Sequence, residues 1–420
     1  MPPSATDSIS PRTSPPPGAA PVEPADSFPE RVGDFHLIRK LGTGPTGVVF
    51  LARQESHSRD VALKVVRPGH FRDATEQEQF RREIEAVARL GHEGVVPVLG
   101  AGEEAGATWV AMEVVEGCTL AEALAELRGT GRERSAAALA EAVRQIVQRK
   151  LGRTATVAGR DTFAGSWVQC CVRIVRDVAR ALDHAHRRGV LHRDVNPSNI
   201  LLDLRGRARL VDFGLASPEG VRRLPAIGEP LGSLPYRAPE QMRRAAREVD
   251  ARTDVYSLGV TLYELLALEL PHFDADARRT RDLVLEGEPL PLHELVPGIP
   301  WDVETVCLAA MERDRERRYP SAETFARELE SILAMRPIEA RRPGPALRLR
   351  RWIERHATIS IAVLAALALS VAAPTVACLA LRAERDQLAA ANRLLKQQAD
   401  RAQAALEAER ARTRAAHEGR

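Results

Sequence analysis

The residues best suited to chemistry lie in one short segment, 191–202, which reads LHRDVNPSNILL. It holds a carboxylate at Asp194 and an amide at Asn199, and Asp212 follows a little further along the chain in an Asp-Phe-Gly tripeptide. Phosphoryl transfer needs a carboxylate near the attacking hydroxyl and oxygen ligands for the Mg²⁺ that sits on the phosphates. Asp194, Asn199 and Asp212 supply that set, so their spacing predicts a phosphotransfer site.

A glycine-rich segment, which begins at Leu41 and reads LGTGPTGVVF, is the first candidate for holding phosphates. Gly42, Gly44 and Gly47 form G-x-G-x-x-G, and glycine lets backbone N–H groups approach phosphate oxygens closely. The same spacing marks dinucleotide-binding folds, where a helix should follow the glycines. Here a strand-like apolar run follows, which favours a hairpin over a glycine turn before a helix. Taken alone, the motif also fits a plain hairpin without a ligand.

A lysine, Lys64, ends the run Val-Ala-Leu-Lys that follows the glycine-rich segment. Burying a lysine in an apolar strand is costly unless its charge is matched. Residues 75–90 read as a helix with four large apolar residues on one face, and Glu83 borders that face. This arrangement predicts a Lys64–Glu83 ion pair that would fix Lys64 for the α- and β-phosphates. The alternative is a lysine that snorkels to solvent.

These motifs occur in one order along the chain: the glycine loop, Lys64, Glu83, the catalytic segment, and then Ala-Pro-Glu at 238–240. Chance assembly at these spacings is negligible. Over residues 35–334 the chain resembles a eukaryotic-like (Hanks-type) protein kinase, particularly the membrane-anchored bacterial serine/threonine kinases. The resemblance implies an α+β, two-lobed protein kinase fold. Its small lobe would be mostly β-sheet with one helix, its large lobe helical, and ATP would lie between them.

The same resemblance implies a role for each matching residue. Asp194 would be the catalytic base, Lys64 would contact phosphates, and Asn199 and Asp212 would hold Mg²⁺. The ATP pocket would comprise Leu41, Gly42, Thr43, Gly44, Gly47, Val49, Ala62, Lys64, Met112, Glu113, Val115 and Leu201.

Within that pocket, Met112 would be the gatekeeper, and the backbone of Glu113 and Val115 would bond the adenine edge. The resemblance also implies two structural contacts in the large lobe. Asp254 would brace the catalytic loop, and Arg318 would pair with Glu240. The adenine ring would be sandwiched by Val49, Ala62 and Leu201.

Serine/threonine specificity is predicted from the segment before Ala-Pro-Glu. Gly232 and Ser233 precede Tyr236 there, as in the Gly-Thr/Ser version of the substrate shelf. The expected reaction transfers phosphate from ATP to a protein Ser or Thr hydroxyl. A small-molecule phosphotransferase with a kinase-like fold is disfavoured by the intact Ala-Pro-Glu and shelf region.

One catalytic position departs from the family pattern. Two residues after the catalytic aspartate, where the family usually has lysine, the chain has Asn196. A lysine would place positive charge near the γ-phosphate, whereas asparagine donates a hydrogen bond without charge. Loss of one electrostatic donor elsewhere costs on the order of 10²–10³ in rate. Asn196 is therefore assigned to the catalytic group, and a weakly active or inactive pseudokinase scaffold is kept as the alternative.

Two further departures concern loops. Residues 215–237 contain only Ser217, Ser233 and Tyr236 as hydroxyl side chains. We expect Glu229 or another local acid to pair with Arg193, so that this loop needs no phosphate. Residues 129–165 form an insertion between two large-lobe helices, interpreted as a surface excursion or, alternatively, a docking element.

The composition of the chain gives no indication of a nucleic-acid-binding or a zinc-binding protein. The net charge of the 420-residue chain is only +3, which gives no reason to expect a nucleic-acid partner. The five cysteines form no CxxC pairs, so a zinc site is not expected and reduced thiols are. The predicted organisation is a disordered, proline-rich 1–32, a kinase domain at 33–335, a basic linker at 336–356, a transmembrane helix at 357–381 and a helical tail at 382–420.

The membrane prediction depends on a run without a charged side chain, 357–381. A spanning helix needs about 20 apolar residues, and this run is long enough. Six arginines in 341–355 against four Lys or Arg in 382–396 place the N-terminal side, and the kinase domain, in the cytoplasm. The alternative is a buried helix of a soluble domain. The tail at 382–420 fits a solvated helix or a weak dimer helix in a homodimer.

Overall fold

The computed structural model describes residues 30–340 and 357–418. Residues 45, 68, 70, 72, 105, 132, 153–160, 214–231 and 244–248 are not described. The chain divides into two compact units, 1–341 and 342–420. The predicted disorder of the N-terminus and the predicted basic linker lie largely outside the described residues.

The small lobe is one six-stranded antiparallel sheet in the order β1-β2-β3-β4-β6-β5. Its strands are β1 (Arg31–Val32), β2 (Phe35–Thr43), β3 (Gly47–Gln54), β4 (Arg59–Val66), β5 (Val98–Glu104) and β6 (Ala107–Met112). β3 and β4 together contain five valines, whose β-branched side chains pack well on a pleated surface. One helix, α1 (Ala74–Ala88), begins at Asp73, whose carboxylate accepts from two backbone N–H groups.

The apolar stripe predicted for α1 is confirmed. Phe80, Ile84 and Val87 are buried at i, i+4 and i+7 spacing, the period of one helix face. Phe80 and Ile84 share an apolar cluster with Val110 and Met112 of β6. This packing holds α1 against the sheet in which β4 carries Lys64, and thereby positions Glu83.

The large lobe is helical and also contains a short sheet in the order β7-β8-β9. That sheet is formed by β7 (Gly117–Thr119), β8 (Ile200–Asp203) and β9 (Ala208–Leu210). The helices are α2 (Leu120–Thr130), α3 (Ala136–Leu151), α4 (Trp167–His186), α5 (Pro239–Met242), α6 (Ala251–Ala267), α7 (Ala277–Glu286), α8 (Leu292–Leu295), α9 (Trp301–Ala310) and α10 (Ala322–Leu333). Every residue of α6 from Thr253 to Ala267 is buried, so α6 forms the centre of this lobe. The predicted two-lobed α+β fold is confirmed.

The prediction that 129–165 is a surface excursion is wrong for its central part. That part is α3, which begins at the N-cap Ser135, ends at Gly152 (φ 64°) and packs against α2 and β7. Its buried residues are Ala136, Leu139, Ala142, Val143, Ile146 and Val147. Lys150 also pairs with Glu122 at 2.7 Å. The insertion therefore adds a packed helix to the large lobe; its residues 153–160 lie outside the described chain.

His272, which follows α6, is expected to make the large lobe sensitive to acid. Burial, with a smaller contribution from the nearby charge of Arg313, lowers the pKa of His272 to about 4 from 6.5. Because the unfolded chain binds the proton first, the contribution of His272 is present above about pH 6.5 and is lost as the pH falls toward 4. The full shift corresponds to about 3 kcal/mol of unfolding free energy.

We therefore expect His272→Phe to unfold at a temperature that changes less than that of the parent between pH 7 and about pH 4.5. The matched control is His57→Phe, because His57 is exposed. Thermal unfolding followed by circular dichroism at both pH values measures the difference. Equal acid shifts in the parent and in His272→Phe would contradict the assignment.

The second unit is a single helix, α11 (Ala357–Glu418), with Pro374 inside it. Within the described residues, this is the one helix that is long and apolar enough to cross a membrane, on length and composition. An 18-residue window of it has a mean hydropathy of 1.7 and is unburied. The predicted helical character of 357–381 and of the tail is confirmed as far as residue 418.

Candidate active site

One buried carboxylate, that of Asp254, binds the backbone of the catalytic loop between α4 and β8. Asp254 of α6 accepts hydrogen bonds from the backbone N–H groups of His192 at 2.9 Å and Arg193 at 2.7 Å. His186 at the end of α4 also contacts it through Nε2 at 2.7 Å. Burial opposes the charge of Asp254, but the bonds from His186 and His192 hold its pKa below the usual value. The predicted bracing role of Asp254 is confirmed.

This bracing stabilises an unusual backbone conformation. Arg193 has a backbone φ of 62°, in the left-handed region that residues other than glycine and asparagine rarely adopt. Gln241 of α5 adds a hydrogen bond to the carbonyl of Arg193 at 2.8 Å. His186 and Gln241 were missed by sequence reasoning, because only the fold brings α4 and α5 against this loop.

Hydrogen bonds connect the segments that carry Asp194, Asn199 and Asp212. The Nδ2 of Asn199 donates to the carbonyl oxygen of Asp194 at 2.8 Å and lies 3.3 Å from its Oδ2. Asn199 ends a 3₁₀ turn, Pro197–Asn199, and its carbonyl accepts from the N–H of Val211, the residue before Asp212, at 3.0 Å. The short sheet therefore places the general-base candidate and both predicted metal ligands side by side.

Asn196 serves the backbone of the same loop. It is buried, its Oδ1 accepts from the N–H of Ser198 at 2.9 Å, and its Nδ2 donates to the carbonyl of Asp194 at 2.9 Å. It is also the N-cap of the 3₁₀ turn. Both ends of its amide are thus engaged within the loop, which makes Asn196 a positioning residue for Asp194 in this conformation.

Asp212 has an acceptor oxygen available for a cation. Its Oδ2 pairs with Lys64 Nζ at 2.9 Å, whereas its Oδ1 is buried and has no hydrogen-bond partner among the described groups. An unpaired buried carboxylate oxygen is costly unless a ligand satisfies it. Asp212 also has φ of 63°, a conformation that Asn and Asp tolerate best. The donor set at Asp212 therefore fits Mg²⁺, which prefers oxygen ligands.

The predicted Lys64–Glu83 ion pair is wrong for this conformation. Lys64 is 3% exposed and pairs with Asp212, while Glu83 pairs with Arg193 at 3.2 Å. Burial raises the pKa of Glu83, and the Arg193 charge opposes that rise. Arg193 thus has an acidic partner from α1, whereas the predicted partner Glu229 lies outside the described residues. Both members of the expected pair thus have other partners, Asp212 for Lys64 and Arg193 for Glu83.

The glycine loop forms a tight hairpin between β2 and β3. The N–H of Gly44 donates to the carbonyl of Gly47 at 2.8 Å, and a Cβ on Gly47 would lie 2.2 Å from the carbonyl oxygen of Val65. Gly47 is therefore required by the sheet itself. A Cβ on Gly42 would meet nothing within 4 Å, so the missing side chain there keeps space open for a ligand. The predicted hairpin is confirmed.

The segment after β6 lies where a hinge was predicted. Met112 pairs with Ala62 across the sheet, and Ala62, Val115 and Leu201 pack against the cluster that contains Met112. The N–H of Glu113 donates to the carbonyl of Pro97 at 3.0 Å. Leu41, Thr43 and Val49 lie on the hairpin strands above, with Gly42 paired to Val49 and Thr43 to Val48.

The comparisons with known proteins agree with this geometry. A family model described as "Protein tyrosine and serine/threonine kinase" matches residues 35–329. The tyrosine-protein kinase MasK of Myxococcus xanthus is 31% identical over 334 residues, covering 76% of this chain and 46% of that protein. The serine/threonine-protein kinase PknJ of Mycobacterium tuberculosis is 34% identical over 299 residues, covering 70% and 44%. The chain thus spans less than half the length of these curated relatives.

Solved structures give the same answer. The PknI kinase domain of Mycobacterium tuberculosis superposes with a TM-score of 0.51 at 28% identity. The match covers 72% of this chain and 97% of that one. The chain therefore belongs to the protein kinase family, and the predicted kinship with the bacterial Hanks-type kinases is confirmed.

Proposed function

We propose that this protein is an ATP- and Mg²⁺-dependent protein serine/threonine kinase. The observation that carries the proposal is the convergence of Asp194, Asn199, Asp212 and Lys64 at the junction of the two lobes. Phosphoryl transfer is catalysed almost entirely by positioning and electrostatic stabilisation. Asp194 and Asn199 of the catalytic loop, Asp212 after β9 and Lys64 of β4 together supply both.

Each side chain has a distinct task in this reaction. Asp194, whose backbone is held by Asn196 and Asn199, orients the substrate hydroxyl and accepts its proton. Asp212 and Asn199 would hold Mg²⁺, which neutralises charge on the β- and γ-phosphates when bound. Lys64, on β4 of the small lobe, would contact the phosphates.

The described conformation requires one rearrangement before transfer. Lys64 now holds Asp212, and Glu83 holds Arg193. Exchange of partners, to Lys64–Glu83, would free Asp212 for the metal and give Lys64 its phosphate-facing orientation. Glu83 is the member of this set that α1 carries, so movement of α1 would bring it toward Lys64. We infer that this exchange separates a resting from a transfer-competent state.

Serine/threonine specificity is part of the proposal and is supported by the name of one of the two curated relatives. PknJ is named a serine/threonine-protein kinase, whereas MasK is named a tyrosine-protein kinase. The Gly232-Ser233 shelf favours serine or threonine. Its neighbour Tyr236 is fixed by a 2.6 Å hydrogen bond to the buried Glu264, which also pairs with Arg128 at 2.7 Å. This network keeps the shelf rigid beside the catalytic loop.

Membrane anchoring is the second part of the proposal. α11 is long and apolar enough to span a bilayer, and the arginine excess lies on its N-terminal side. A single-pass protein with its kinase domain in the cytoplasm follows, with protein substrates and no nucleic-acid partner. Carbonate extraction of membranes should leave the full chain in the pellet, and release into the supernatant would contradict anchoring.

The experiment that tests the kinase is phosphate transfer from γ-labelled ATP with the full chain and generic protein substrates. Asp194→Asn should lower the rate by at least about 10², the usual contribution of a general base. Phosphoamino-acid analysis should then find label on serine or threonine. Label on tyrosine would overturn the specificity, and undiminished transfer by Asp194→Asn would overturn the site.

A pseudokinase scaffold is the second candidate, and Asn196 is the observation that favours it. The chain lacks the lysine of the family at this position, and the amide is engaged inside the loop. ATP binding without transfer by the parent, together with transfer by Asn196→Lys, would assign the missing charge as the cause. Transfer by the parent would exclude the scaffold.

A further inference from the structure

The part of α11 beyond the apolar segment carries leucines at intervals of seven residues. Leu381, Leu388 and Leu395 form one series, which Ala402 continues. A second series starts four residues after each of these and comprises Arg385, Asn392, Ala399 and Leu406. Alternating steps of four and three are the d and a positions of a heptad repeat. A period of 3.5 keeps one seam of a helix facing a partner helix.

This seam is uncovered in a single chain. The side chains of Leu381, Leu388 and Leu395 are 66%, 60% and 63% exposed. Burying a leucine side chain is favourable, so three exposed leucines in line favour a partner. The polar residues of the seam indicate which partner covers these leucines.

The polar residues of the seam select a second copy of the same helix. Asn392 lies at an a position between two leucine d positions, and a single asparagine there specifies two strands in register. Arg385 is the other polar a residue, and in a parallel pair it lies beside the g residue before it on the other strand, which is Glu384. An identical, parallel helix therefore gives each Arg385 an opposite charge.

The flanking positions do not oppose this pairing. In a parallel, in-register pair, Glu384 faces Ala389 across the seam, Ala391 faces Lys396, and the next pair is two glutamines. No like charges face each other at these positions. Parallel orientation also agrees with the apolar segment, because the helix is continuous through it and both copies would enter a bilayer in the same direction.

We propose that residues 381–406 of two copies associate as a parallel, two-stranded coiled coil in register at Asn392. The seam side chains become smaller at Ala399 and Ala402, before Leu406. The part of the seam from Leu381 to Leu395 therefore contributes most of the free energy of association. Pairing is favoured further when both chains lie in one membrane, since anchoring raises their effective concentration.

The chain contains a reporter for this arrangement. Cys378 is exposed and lies seven residues before Arg385, at the preceding a position, so the pair would bring two Cys378 thiols together. The other four cysteines are buried in the kinase domain. Copper–phenanthroline oxidation of the full chain in detergent micelles should therefore give a disulfide-linked dimer, with two electrons passing to the oxidant and two protons released. Moving the thiol to the outer face, in Cys378→Ala/Ala383→Cys, should slow the cross-link at least about tenfold.

A matched pair of adjacent leucines separates a specific seam from a merely apolar helix. Leu394 and Leu395 are 61% and 63% exposed in the single chain, but only Leu395 lies on the seam. Leu395→Glu should slow the Cys378 cross-link at least about tenfold, because a paired leucine contributes more than the free energy that corresponds to a tenfold change. Leu394→Glu should leave the rate within about twofold.

Equal rates for the two glutamate variants, or equal rates for the two thiol positions, would overturn the coiled coil and leave a solvated helix. A cross-link that forms only when another protein is present would assign the seam to a different partner and likewise overturn it. The readout is a covalent dimer on a gel and is independent of kinase activity, so it does not depend on the proposed enzymatic function.

Discussion

Replacing Asp212 by asparagine is expected to lower the rate of phosphate transfer by about 10³, with a matching increase in the Mg²⁺ concentration needed for half-maximal activity. A bound metal ion contributes several kcal/mol of charge stabilisation, and a loss of about 1.4 kcal/mol slows a reaction tenfold. The carboxylate oxygen that would bind the ion is Asp212 Oδ1, buried and without a partner among the described groups. An amide cannot supply that negative charge.

Asparagine is the appropriate replacement because of the backbone. Asp212 has φ of 63°, and asparagine tolerates this left-handed conformation better than alanine does. The variant therefore separates loss of charge from loss of fold. Asp177→Asn is the matched control, since Asp177 is a part-buried aspartate on α4 that pairs with Arg176 away from the site.

Kinase assays over a range of Mg²⁺ concentrations, with thermal unfolding measured on the same samples, give the result. Asp177→Asn should retain the parental rate and Mg²⁺ dependence. An Asp212→Asn variant that is folded and has parental Mg²⁺ dependence would show that the metal is held elsewhere.

The parts of this site that could be predicted from the sequence are those whose residues lie close together along the chain. Asp194 and Asn199 are five residues apart in one loop, so any fold that forms the loop brings them together. Asp254 and the Arg318–Glu240 pair are distant in sequence, and they were predicted only through the family resemblance. His186 and Gln241 belong to no recognisable motif and were found only in three dimensions.

The ion pairs were less predictable because several partners of opposite charge compete for each group. Glu83 can reach either Lys64 or Arg193, depending on where α1 lies. The helical pattern of α1 determines which face it buries, but not how far it stands from β4. A sequence therefore specifies the set of charged groups, while the conformation selects the pairs.

The insertion was misread for a different reason. Two of the six buried residues of α3 are alanines, which lowers the side-chain volume of its apolar face even though the spacing is helical. Ser135 and Gly152 mark its ends as an N-cap and a left-handed C-cap, signals that sequence alone could have supplied. Local capping residues would have been better guides here than composition.

The second large effect is expected on stability. Replacing Arg318 by methionine should lower the unfolding free energy of the large lobe by about 3–5 kcal/mol, because it leaves a buried carboxylate without its cation. Arg318 donates to both oxygens of Glu240, at 2.7 and 2.8 Å, and neither side chain is more than 3% exposed. Thr253 supplies a further hydrogen bond to Glu240 at 2.8 Å.

Arg318 also joins segments that are far apart in sequence. Its Nε donates to the carbonyl of Glu312 at 2.6 Å, and its guanidinium lies 4.9 Å from the centre of the Tyr256 ring. The pair thereby ties α5, which follows the substrate shelf, to α6 and to the segment before α10. Its loss should therefore also loosen α5, which holds Arg193 through Gln241.

The adjacent Arg317 provides the control. Its side chain is 43% exposed and pairs with Asp314 at 3.4 Å, so Arg317→Met should change the unfolding free energy by no more than about 1 kcal/mol. The double variant Arg318→Met/Glu240→Gln should be more stable than Arg318→Met, because it removes the buried charge as well. Chemical denaturation of all four proteins gives the comparison, and a double variant no more stable than Arg318→Met would contradict this account.

The pH dependence distinguishes an unpaired charge from a packing defect. In the parent, burial opposes the charge of Glu240, but the bonds and charge of Arg318 hold its pKa below 4.5. The stabilisation from this pair is therefore present above pH 4.5 and is lost as the pH falls through the folded pKa. Without Arg318, burial raises the pKa of Glu240, so the variant regains stability when acid neutralises the carboxyl group. The gap between parent and Arg318→Met should narrow toward acidic pH, whereas a gap caused by lost packing alone would be constant.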